Sequence, residues 1–440
     1  MDIIVKIIQF FLCFTILIGI HEMGHFIMAR VFKIRVEKFY IFFDPWFSLF
    51  KFKRGNTEYG LGWLPLGGYV KIAGMIDESM DKEQMKQPVK PDEFRAKPAW
   101  QRLLVMVAGV MMNVLLAIVI YCAVCYTWGD SYFSNQDAKW GYNFNPTAHE
   151  MGFRDGDRFV SIDGEEIDNV MRVQNDLLIT DGGRRVIVER GGEPVTLDIP
   201  FESLLRMRQE KAYEDLFTLR LPFIVDSVSY TSAVEAGLES GDEVVAIDDL
   251  RDADYPRYRD YLQKHKNDKV LLTVRRDGAL IDSLALPVDA EGRIGVTVTN
   301  PYSLRTQYYT FWESIPAGIH KAGKTISSYW DQLKLIVQPK TKMYEELGGF
   351  VAIGSIFPSS WDWHDFWLKT AFLSIILAVM NLLPIPGLDG GHALFTLWEI
   401  ITRRKPSEKF LEVAQYVGLM IILALLVYAN GNDIYRFFIK

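Results

Sequence analysis

Four long apolar runs constrain what this chain can fold into. They cover about residues 3–28, 103–127, 366–388 and 411–429, within a sequence that is 49% hydrophobic overall. Each run is close to the roughly 20 residues that a helix needs to cross the hydrocarbon core of a bilayer. The first run lacks a basic leader and a small-residue cleavage site, so we expect it to be retained. The pattern predicts four transmembrane helices joined to extramembrane domains.

Positive charge is concentrated in two of the segments between these runs. Residues 30–102 contain fourteen lysines and arginines and a second cluster lies in 403–409, whereas residues 1–21 carry only Lys6. Because cytoplasmic loops are enriched in Lys and Arg, we expect both termini and the long segment 128–360 to lie outside the cytoplasm. The net charge of −7, without a basic stripe, argues against a nucleic-acid partner.

The segment that follows the first run has two parts. Residues 36–75 alternate apolar and polar positions, break at KRGNTEYG (53–60) and continue as LGWLPLGGYVKIAG (61–74), which predicts strands and hairpins. Their apolar content suits a sheet that dips into the membrane, where backbone groups must be paired within the protein. Residues 77–98 are charged and rich in Met, Gln and Lys, as expected of a flexible or helical connector.

The long external segment contains an internal repeat. AHEMGFRDGDRFVSIDGEEI (148–167) aligns with AVEAGLESGDEVVAIDDL (233–250) at a constant offset of 85 residues. Each copy has a Gly-Asp turn that leads into an apolar strand, so each predicts a small β-rich domain. Asp249 stands where the first copy has Gly164, and aspartate adopts a left-handed conformation less readily than glycine. Further on, 305–337 has the spacing of an amphipathic interfacial helix.

The first apolar run contains the motif HEMGH. His21 and His25 are four residues apart, so on a helix both imidazoles lie on one face and can bind a single Zn²⁺. Glu22 can accept a proton from the water that such a metal activates. Ionisable groups at bilayer depth cost a few kcal/mol each, and therefore need a partner. The alternative is that the histidines only form hydrogen bonds across a helix bundle.

A catalytic zinc site needs a third protein ligand. The third run supplies Asp389 within NLLPIPGLDGG (381–391), after two prolines that break a helix and before two glycines that permit close packing. A divalent metal would provide the positive partner that an intramembrane carboxylate needs. His392 is a rival ligand, which we expect instead to pack between helices or to support the ligands. The remaining histidines lie in external segments: His149, His265, His320 and His364.

The two motifs together resemble those of the site-2 protease family of intramembrane zinc metalloproteases. The tandem repeat between the second and third runs resembles the PDZ domains of the bacterial RseP-like branch, and the resemblance covers nearly the whole chain. It implies an α-helical polytopic membrane protein with four transmembrane helices, a membrane-reentrant β-sheet and two extracytoplasmic β-rich PDZ domains. The implied segments are helix 1 (1–30), the cytoplasmic-side segment with the reentrant loop (31–99), helix 2 (100–127), PDZ 1 (128–215), PDZ 2 (216–300), an interfacial segment (301–362), helix 3 (363–400), a cytoplasmic loop (401–410) and helix 4 with a tail (411–440).

The resemblance also implies residue roles. Zn²⁺ would be held by His21, His25 and Asp389, with Glu22 as general base and acid. Asn381 would bind the substrate backbone or the oxyanion. The reentrant strand would pair with an unwound substrate segment, because strand addition replaces the backbone hydrogen bonds that a helix loses on unwinding. The strand residues concerned are Leu66, Gly67, Gly68, Tyr69 and Val70.

Some positions depart from the family pattern. In the second run Gly109 and Asn113 match it, but Val110 stands where proline is common. In the hairpin region Asp44 stands where a small glycine is common. None of these positions is a proposed ligand.

The expected function is intramembrane proteolysis in the bacterial inner (plasma) membrane. The resemblance implies substrates already trimmed by an upstream site-1 protease, such as an anti-sigma factor, with remnant signal peptides as a second class. The PDZ pair would act as a size filter on the periplasmic side, and the lipid bilayer is the remaining partner.

Two other classes of function remain to be weighed. A catalytically inactive membrane scaffold would bind peptides through its PDZ pair and use the metal structurally, but structural zinc sites usually have four protein ligands, whereas this chain offers three and a glutamate. A metal transporter ranks last, because 103–126 and 415–428 contain no Asp, Glu, Lys, Arg or His.

Overall fold

The computed structural model describes residues 2–64, 67–75, 88–213, 215–251 and 254–439. Elements are numbered in chain order. The first apolar run forms one long helix, a small sheet follows it, and the second run forms another long helix. These elements are α1 (Asp2–Val31), β1 (Val36–Ile41), β2 (Phe43–Arg54), β3 (Thr57–Leu64), β4 (Tyr69–Ile72) and α2 (Ala99–Trp128). Residue 66 and residues 77–87 of the predicted connector lie outside the described ranges.

The small sheet has the strand order β2-β3-β1-β4. The alternating pattern predicted these strands, and Gly55, at φ +62°, closes the β2–β3 hairpin. The order differs from a simple meander, because β1 runs parallel to β3 and antiparallel to β4. Strand β4 therefore lies at an edge, and among the described residues it pairs with β1 alone. An edge strand presents backbone groups on which another extended segment can pair.

Residues 131–306 form a compact unit of their own. Its two larger sheets are ordered β10-β9-β7-β8 and β16-β15-β13-β12-β17, and a separate apolar core lies with each of them. Two shorter pairs, β11-β6 and β18-β5, also belong to this stretch. The elements of this stretch are β5 (Asp130–Tyr132), β6 (Tyr142–Phe144), α3 (Pro146–Glu150), β7 (Arg158–Ile162), β8 (Glu165–Glu166), α4 (Val173–Leu178), β9 (Arg184–Arg190), β10 (Glu193–Ile199), α5 (Phe201–Gln209), β11 (Phe217–Leu219), β12 (Phe223–Val228), α6 (Thr231–Glu235), β13 (Glu243–Ile247), β14 (Leu250–Arg251), α7 (Tyr255–Lys264), β15 (Lys269–Arg276), β16 (Ala279–Pro287), β17 (Val296–Val298) and β18 (Arg305–Gln307).

The sequence repeat is also a structural repeat. Helices α3 and α6, strands β7 and β13, and strands β8 and β14 begin 85 residues apart, at 146 and 231, 158 and 243, and 165 and 250. Each copy buries an aspartate that pairs with an arginine: Asp157 with Arg190 at 2.7 Å, and Asp242 with Arg276 at 2.6 Å. A buried charge requires such a partner. The two halves therefore share a plan of packing as well as a sequence pattern.

The last part of the chain is helical. Its helices are α8 (Phe311–Val337), α9 (Phe350–Ser355), α10 (Trp363–Leu382), α11 (Asp389–Thr402) and α12 (Glu408–Ile434). Helix α8 lies in the predicted amphipathic segment, and its N-cap is Thr310, whose side chain forms a capping box with Glu313. The third apolar run is not one helix to residue 388: α10 ends at Leu382, before two prolines, and α11 begins at Asp389. Proline cannot donate a backbone hydrogen bond, which accounts for the break.

Four helices are long and apolar enough to cross a membrane, as the sequence predicts. Among the described residues these candidate spans are Ile3–Val31, Ala99–Trp128, Trp363–Leu382 and Lys409–Phe437. Helices α1 and α2 pack closely, because a side chain at Gly24 would lie only 2.5 Å from the backbone oxygen of Ala108. Small residues at such crossings let two helices approach in a membrane. This approach positions the HEMGH motif of α1 against α2.

Candidate metal centre

The HEMGH motif lies in the second half of helix α1. His21 and His25 are both buried, at 8% and 7% exposure, and both face α2 and the start of α11. Their four-residue spacing places both imidazoles on one face, with the two Nε2 atoms 3.3 Å apart. Two ring nitrogens this close to each other are placed as two ligands of one metal ion would be.

The break between α10 and α11 brings Asp389 to the same place. Gly390 and Gly391 follow it, and a side chain at either would lie 2.3–2.4 Å from backbone oxygens of Leu382 and Ile385. Only glycine therefore permits α11 to fold back against the end of α10. This packing fixes Asp389 at the first residue of α11, with its carboxylate directed at the two histidines.

The three side chains meet at a common point. Asp389 Oδ2 lies 3.1 Å from His21 Nε2 and 3.2 Å from His25 Nε2. This buried oxygen accepts no hydrogen bond from the residues that the structure describes. In a tetrahedral zinc site with bonds of about 2.0–2.1 Å, neighbouring ligand atoms are about 3.3–3.4 Å apart. The observed separations of 3.1–3.3 Å fit such an ion at the centre.

The ring orientation of His25 also suits a metal ligand. Its Nδ1 lies 2.8 Å from the backbone oxygen of Val105 on α2. A carbonyl oxygen can only accept, so Nδ1 carries the proton and Nε2 keeps its lone pair. Metal-binding histidines in proteins are generally fixed by such a partner on the other nitrogen. The sequence had no signal for this contact, because the acceptor is a backbone group.

A cavity of about 640 Å³ opens beside the three side chains. Glu22 lines it but is not part of the group whose ligand atoms lie within 4.8 Å of one another. Asn381, near the end of α10, also lines it, with Nδ2 3.5 Å from His21 Nε2. A glutamate and an amide thus face the space next to the metal position. These positions suit a general base and a group that binds a peptide carbonyl.

The edge strand forms another wall of this cavity. Gly67, Gly68, Tyr69 and Val70 all line it, whereas Leu66 lies outside the described residues. A side chain at Gly68 would lie 2.6 Å from Ile18 and 3.3 Å from Glu22, so this strand packs directly against the motif helix. The structure therefore brings the described strand residues, Glu22 and Asn381 to one cavity, while their roles stay predictions.

Sequence reasoning assigned no function to some cavity residues. Asp44 lines the cavity and its carboxylate accepts hydrogen bonds from Tyr69 at 3.0 Å and Ser48 at 2.9 Å. It therefore holds β4 to the start of β2, a role that its departure from the family pattern could have signalled. Gln415 of α12 also lines the cavity, as a polar residue within an apolar helix.

His392 lines the cavity but is not a member of the ligand group. It lies three residues after Asp389 on α11. Among the described residues, the group of ligand atoms that could hold one metal consists of His21, His25 and Asp389. The geometry favours Asp389 over its rival as the third ligand.

Comparison with known proteins identifies the family. The model of peptidase family M50 matches residues 9–425. The chain belongs to peptidase family M50, the site-2 protease family. A Clostridium perfringens protein named as a zinc metalloprotease is 30% identical to it over 96% of both chains. The regulator of sigma E protease of Haemophilus influenzae is 27% identical over 97% of this chain and 98% of its own. A Vibrio cholerae protein, also named as a zinc metalloprotease, is 29% identical over 99% of both.

Membership of M50 defines the general chemistry. The protein is a metalloprotease and its metal is zinc. The residues at the cavity fit this metal, because one carboxylate and two neutral imidazoles are ligands that zinc accepts, and three protein ligands leave a position open for reaction. The four long apolar helices among the described residues are compatible with a membrane protein.

Proposed function

We propose that this M50 peptidase hydrolyses a peptide bond within, or at the edge of, a transmembrane segment of a membrane-protein substrate. The observation that carries the proposal is the position of the candidate centre. His21, Glu22 and His25 belong to a helix that is itself a candidate membrane span, and the cavity beside them opens at the same level of that helix. The peptide segments present at that depth are membrane-spanning ones.

The chemistry is divided among a few groups. His21, His25 and Asp389 would hold the zinc ion, which would supply a Lewis acid for the carbonyl of the peptide to be cut and for the attacking water. Glu22 accepts the proton of that water and later delivers it to the leaving nitrogen. Asn381 donates its amide hydrogens to the carbonyl oxygen as negative charge develops there.

The edge strand accounts for how a helical substrate is held. In a helix the backbone carbonyl groups accept hydrogen bonds from backbone N–H groups four residues further on and are not accessible for attack. A substrate segment must therefore become extended before it can be cut. Strand β4 has an edge on which an extended segment can pair, and its residues 69 and 70 line the cavity. We propose that Gly67, Gly68, Tyr69 and Val70 bind the unwound segment, with Leu66 next to them in sequence.

The proposed substrate class rests on the name of one relative and on the compact unit formed by residues 131–306. The name of the Haemophilus protein places it in a sigma-factor pathway, which supports a membrane-bound anti-sigma factor as substrate, with remnant signal peptides as a second class. We propose that residues 128–215 and 216–300, most of which lie in the compact unit 131–306, form two PDZ domains on the periplasmic face of the inner membrane. There they would exclude substrates that an upstream protease has not yet shortened.

The first test is cleavage by the purified full-length protein in mild detergent. With a single-span model substrate, we expect a cut inside the apolar segment, located by mass spectrometry, that a chelator abolishes and added zinc restores. Glu22→Gln serves as the matched inactive protein. If zinc is bound but neither an anti-sigma-type substrate nor a signal-peptide remnant is cut, the inactive PDZ scaffold with a structural metal becomes the better explanation.

A second test addresses the filter. Deleting residues 131–306 and joining the ends by a flexible linker should allow full-length substrates to be cut at a rate similar to that of shortened ones. Cleavage must still require Glu22. The measurement compares kcat/KM for a long and a shortened substrate in the intact and deleted proteins. Unchanged preference for the shortened substrate would contradict the filter, and a loss of all cleavage together with loss of bound zinc would show that the unit is needed for folding.

A further inference from the structure

One face of helix α2 runs along both histidines of the candidate centre. Val105, Gly109 and Asn113 are spaced by four residues and so lie in line. A side chain at Gly109 would lie 2.4 Å from His25 Nε2 and 2.7 Å from His21 Cε1. The absence of a side chain there lets α2 contact both rings. Val105 and Asn113, one helical turn to either side of Gly109, then contact the Nδ1 atoms, which face away from the metal position.

The two histidines have matching contacts on this face. His25 Nδ1 lies 2.8 Å from the Val105 backbone oxygen, as described above. His21 Nδ1 lies 3.2 Å from Nδ2 of the Asn113 side chain. Asn113 is completely buried, and its Oδ1 has no hydrogen-bond partner among the described residues. Burying an amide oxygen without a hydrogen-bond partner costs free energy, so we expect Oδ1 to accept a hydrogen bond from a neighbouring donor.

The chemistry of His21 supplies that donor. To bind a metal through Nε2, the ring must carry its proton on Nδ1, and the group facing Nδ1 must then accept a hydrogen bond. The side chain of Asn113 has one acceptor, Oδ1. Rotation of the amide by 180° places Oδ1 where Nδ2 lies, within hydrogen-bond distance of Nδ1.

We propose that Asn113 is a positioning residue for His21. Its Oδ1 accepts the Nδ1 proton, which fixes the ring orientation and keeps the lone pair of Nε2 directed at the metal position. Asn113 is absent from the residues that line the cavity, so its role differs from that proposed for Asn381, which approaches the opposite nitrogen of the same ring. The inference rests on the proposed function, in which His21 is a zinc ligand.

The test measures metal affinity and needs no substrate. The full-length protein is purified, stripped of metal and titrated with zinc against a competing chelator at fixed pH. Asn113→Leu removes the acceptor at similar volume and should weaken zinc binding about 10- to 100-fold, the usual effect of losing a partner of a metal-binding histidine. Asn113→Asp retains an oxygen at the same position and should bind zinc at least as tightly as the wild type. Asn113→Ala, a second variant without an acceptor, replaces Asn113→Leu if leucine prevents folding.

Ser374→Ala is the matched control. Ser374 is equally buried, and its hydroxyl donates to the backbone oxygen of Asn113 at 2.8 Å, so the substitution disturbs the same helix contact without removing the side-chain acceptor. We expect its zinc affinity to equal that of the wild type. The visible absorption of bound Co²⁺ should likewise change in Asn113→Leu and stay unchanged in Ser374→Ala.

Three outcomes would overturn the inference: wild-type zinc affinity in both Asn113→Leu and Asn113→Ala, equal weakening in Asn113→Asp and Asn113→Leu, or equal weakening in Ser374→Ala. His21→Phe separates this inference from its basis. If His21→Phe binds zinc like the wild type, the ligand assignment itself is wrong. If it loses zinc while Asn113→Leu does not, the assignment stands and only the positioning role is refuted.

Discussion

Replacing Glu22 by glutamine is expected to lower kcat by roughly 10²- to 10⁴-fold, the range over which a positioned general base contributes. Glutamine has nearly the shape of glutamate but cannot accept a proton from water at neutral pH. Glu22 lines the cavity beside the three proposed ligands without being one of them. The zinc content of the variant should therefore equal that of the wild type, measured by elemental analysis of the purified protein.

Glu58→Gln provides the matched control for this prediction. Glu58 lies on β3 and accepts a hydrogen bond from Tyr40 at 2.8 Å, but it is absent from the cavity lining. Its substitution removes one carboxylate near the same sheet and should leave kcat within a few-fold of the wild type. Activity in Glu22→Gln close to that of the wild type would place the base elsewhere. Loss of zinc in Glu22→Gln would mean that the side chain helps to hold the metal.

Much of the helical architecture could be predicted because its signals are local. Long apolar runs identify membrane spans from composition alone, and they appear as the helices α1, α2, α10 and α12. The HEMGH motif on a helix fixes its own geometry, since a spacing of four places both imidazoles on one face. Asp389 could be singled out because a carboxylate in an apolar run demands a partner. The 85-residue repeat likewise predicted two β-rich copies.

Other features depend on contacts between distant segments. The parallel pairing of β1 with β3 places β4 at the edge of its sheet, and strand signals in the sequence do not encode which strands pair. The acceptor of His25 is a backbone oxygen, which every residue has. Asn113 matches the family pattern, but only the contact of its side chain with His21 supports the positioning role that we propose for it.

The turn after β13 differs from the corresponding turn of the first repeat in its backbone conformation. In the first repeat Asp163 and Gly164 both have positive φ, whereas in the second only Asp248 does and Asp249 does not. Aspartate in place of glycine disfavours the left-handed conformation at that position, as expected from its side chain. The turn therefore adopts a different geometry, while the strands on either side keep their 85-residue offset.

Replacing Asp389 by leucine is expected to abolish both zinc binding and proteolysis. The carboxylate is one of the three proposed ligands and carries the only formal negative charge among them, and its Oδ2 lies 3.1–3.2 Å from both imidazoles. Loss of a hydrogen-bond partner of a metal ligand weakens metal binding by roughly 10- to 100-fold. Loss of a direct ligand should weaken zinc binding by more than this. Leucine has a similar volume and is apolar, so α11 should keep its packing. Chelator competition measures the affinity, and thermal unfolding checks the fold.

His392→Gln is the control that decides between the two candidate third ligands. His392 lines the same cavity three residues further along α11, but lies outside the group of close ligand atoms. We expect the zinc affinity of His392→Gln to stay within about tenfold of the wild type, because a residue that only supports a ligand typically changes metal affinity by about 10- to 100-fold when it is lost. The opposite pattern, with zinc lost in His392→Gln and kept in Asp389→Leu, would exchange the two assignments. Because His392 lies one helical step of three residues beyond Asp389, that result would also require α11 to shift by about 4.5 Å along its axis and to rotate by about 60°.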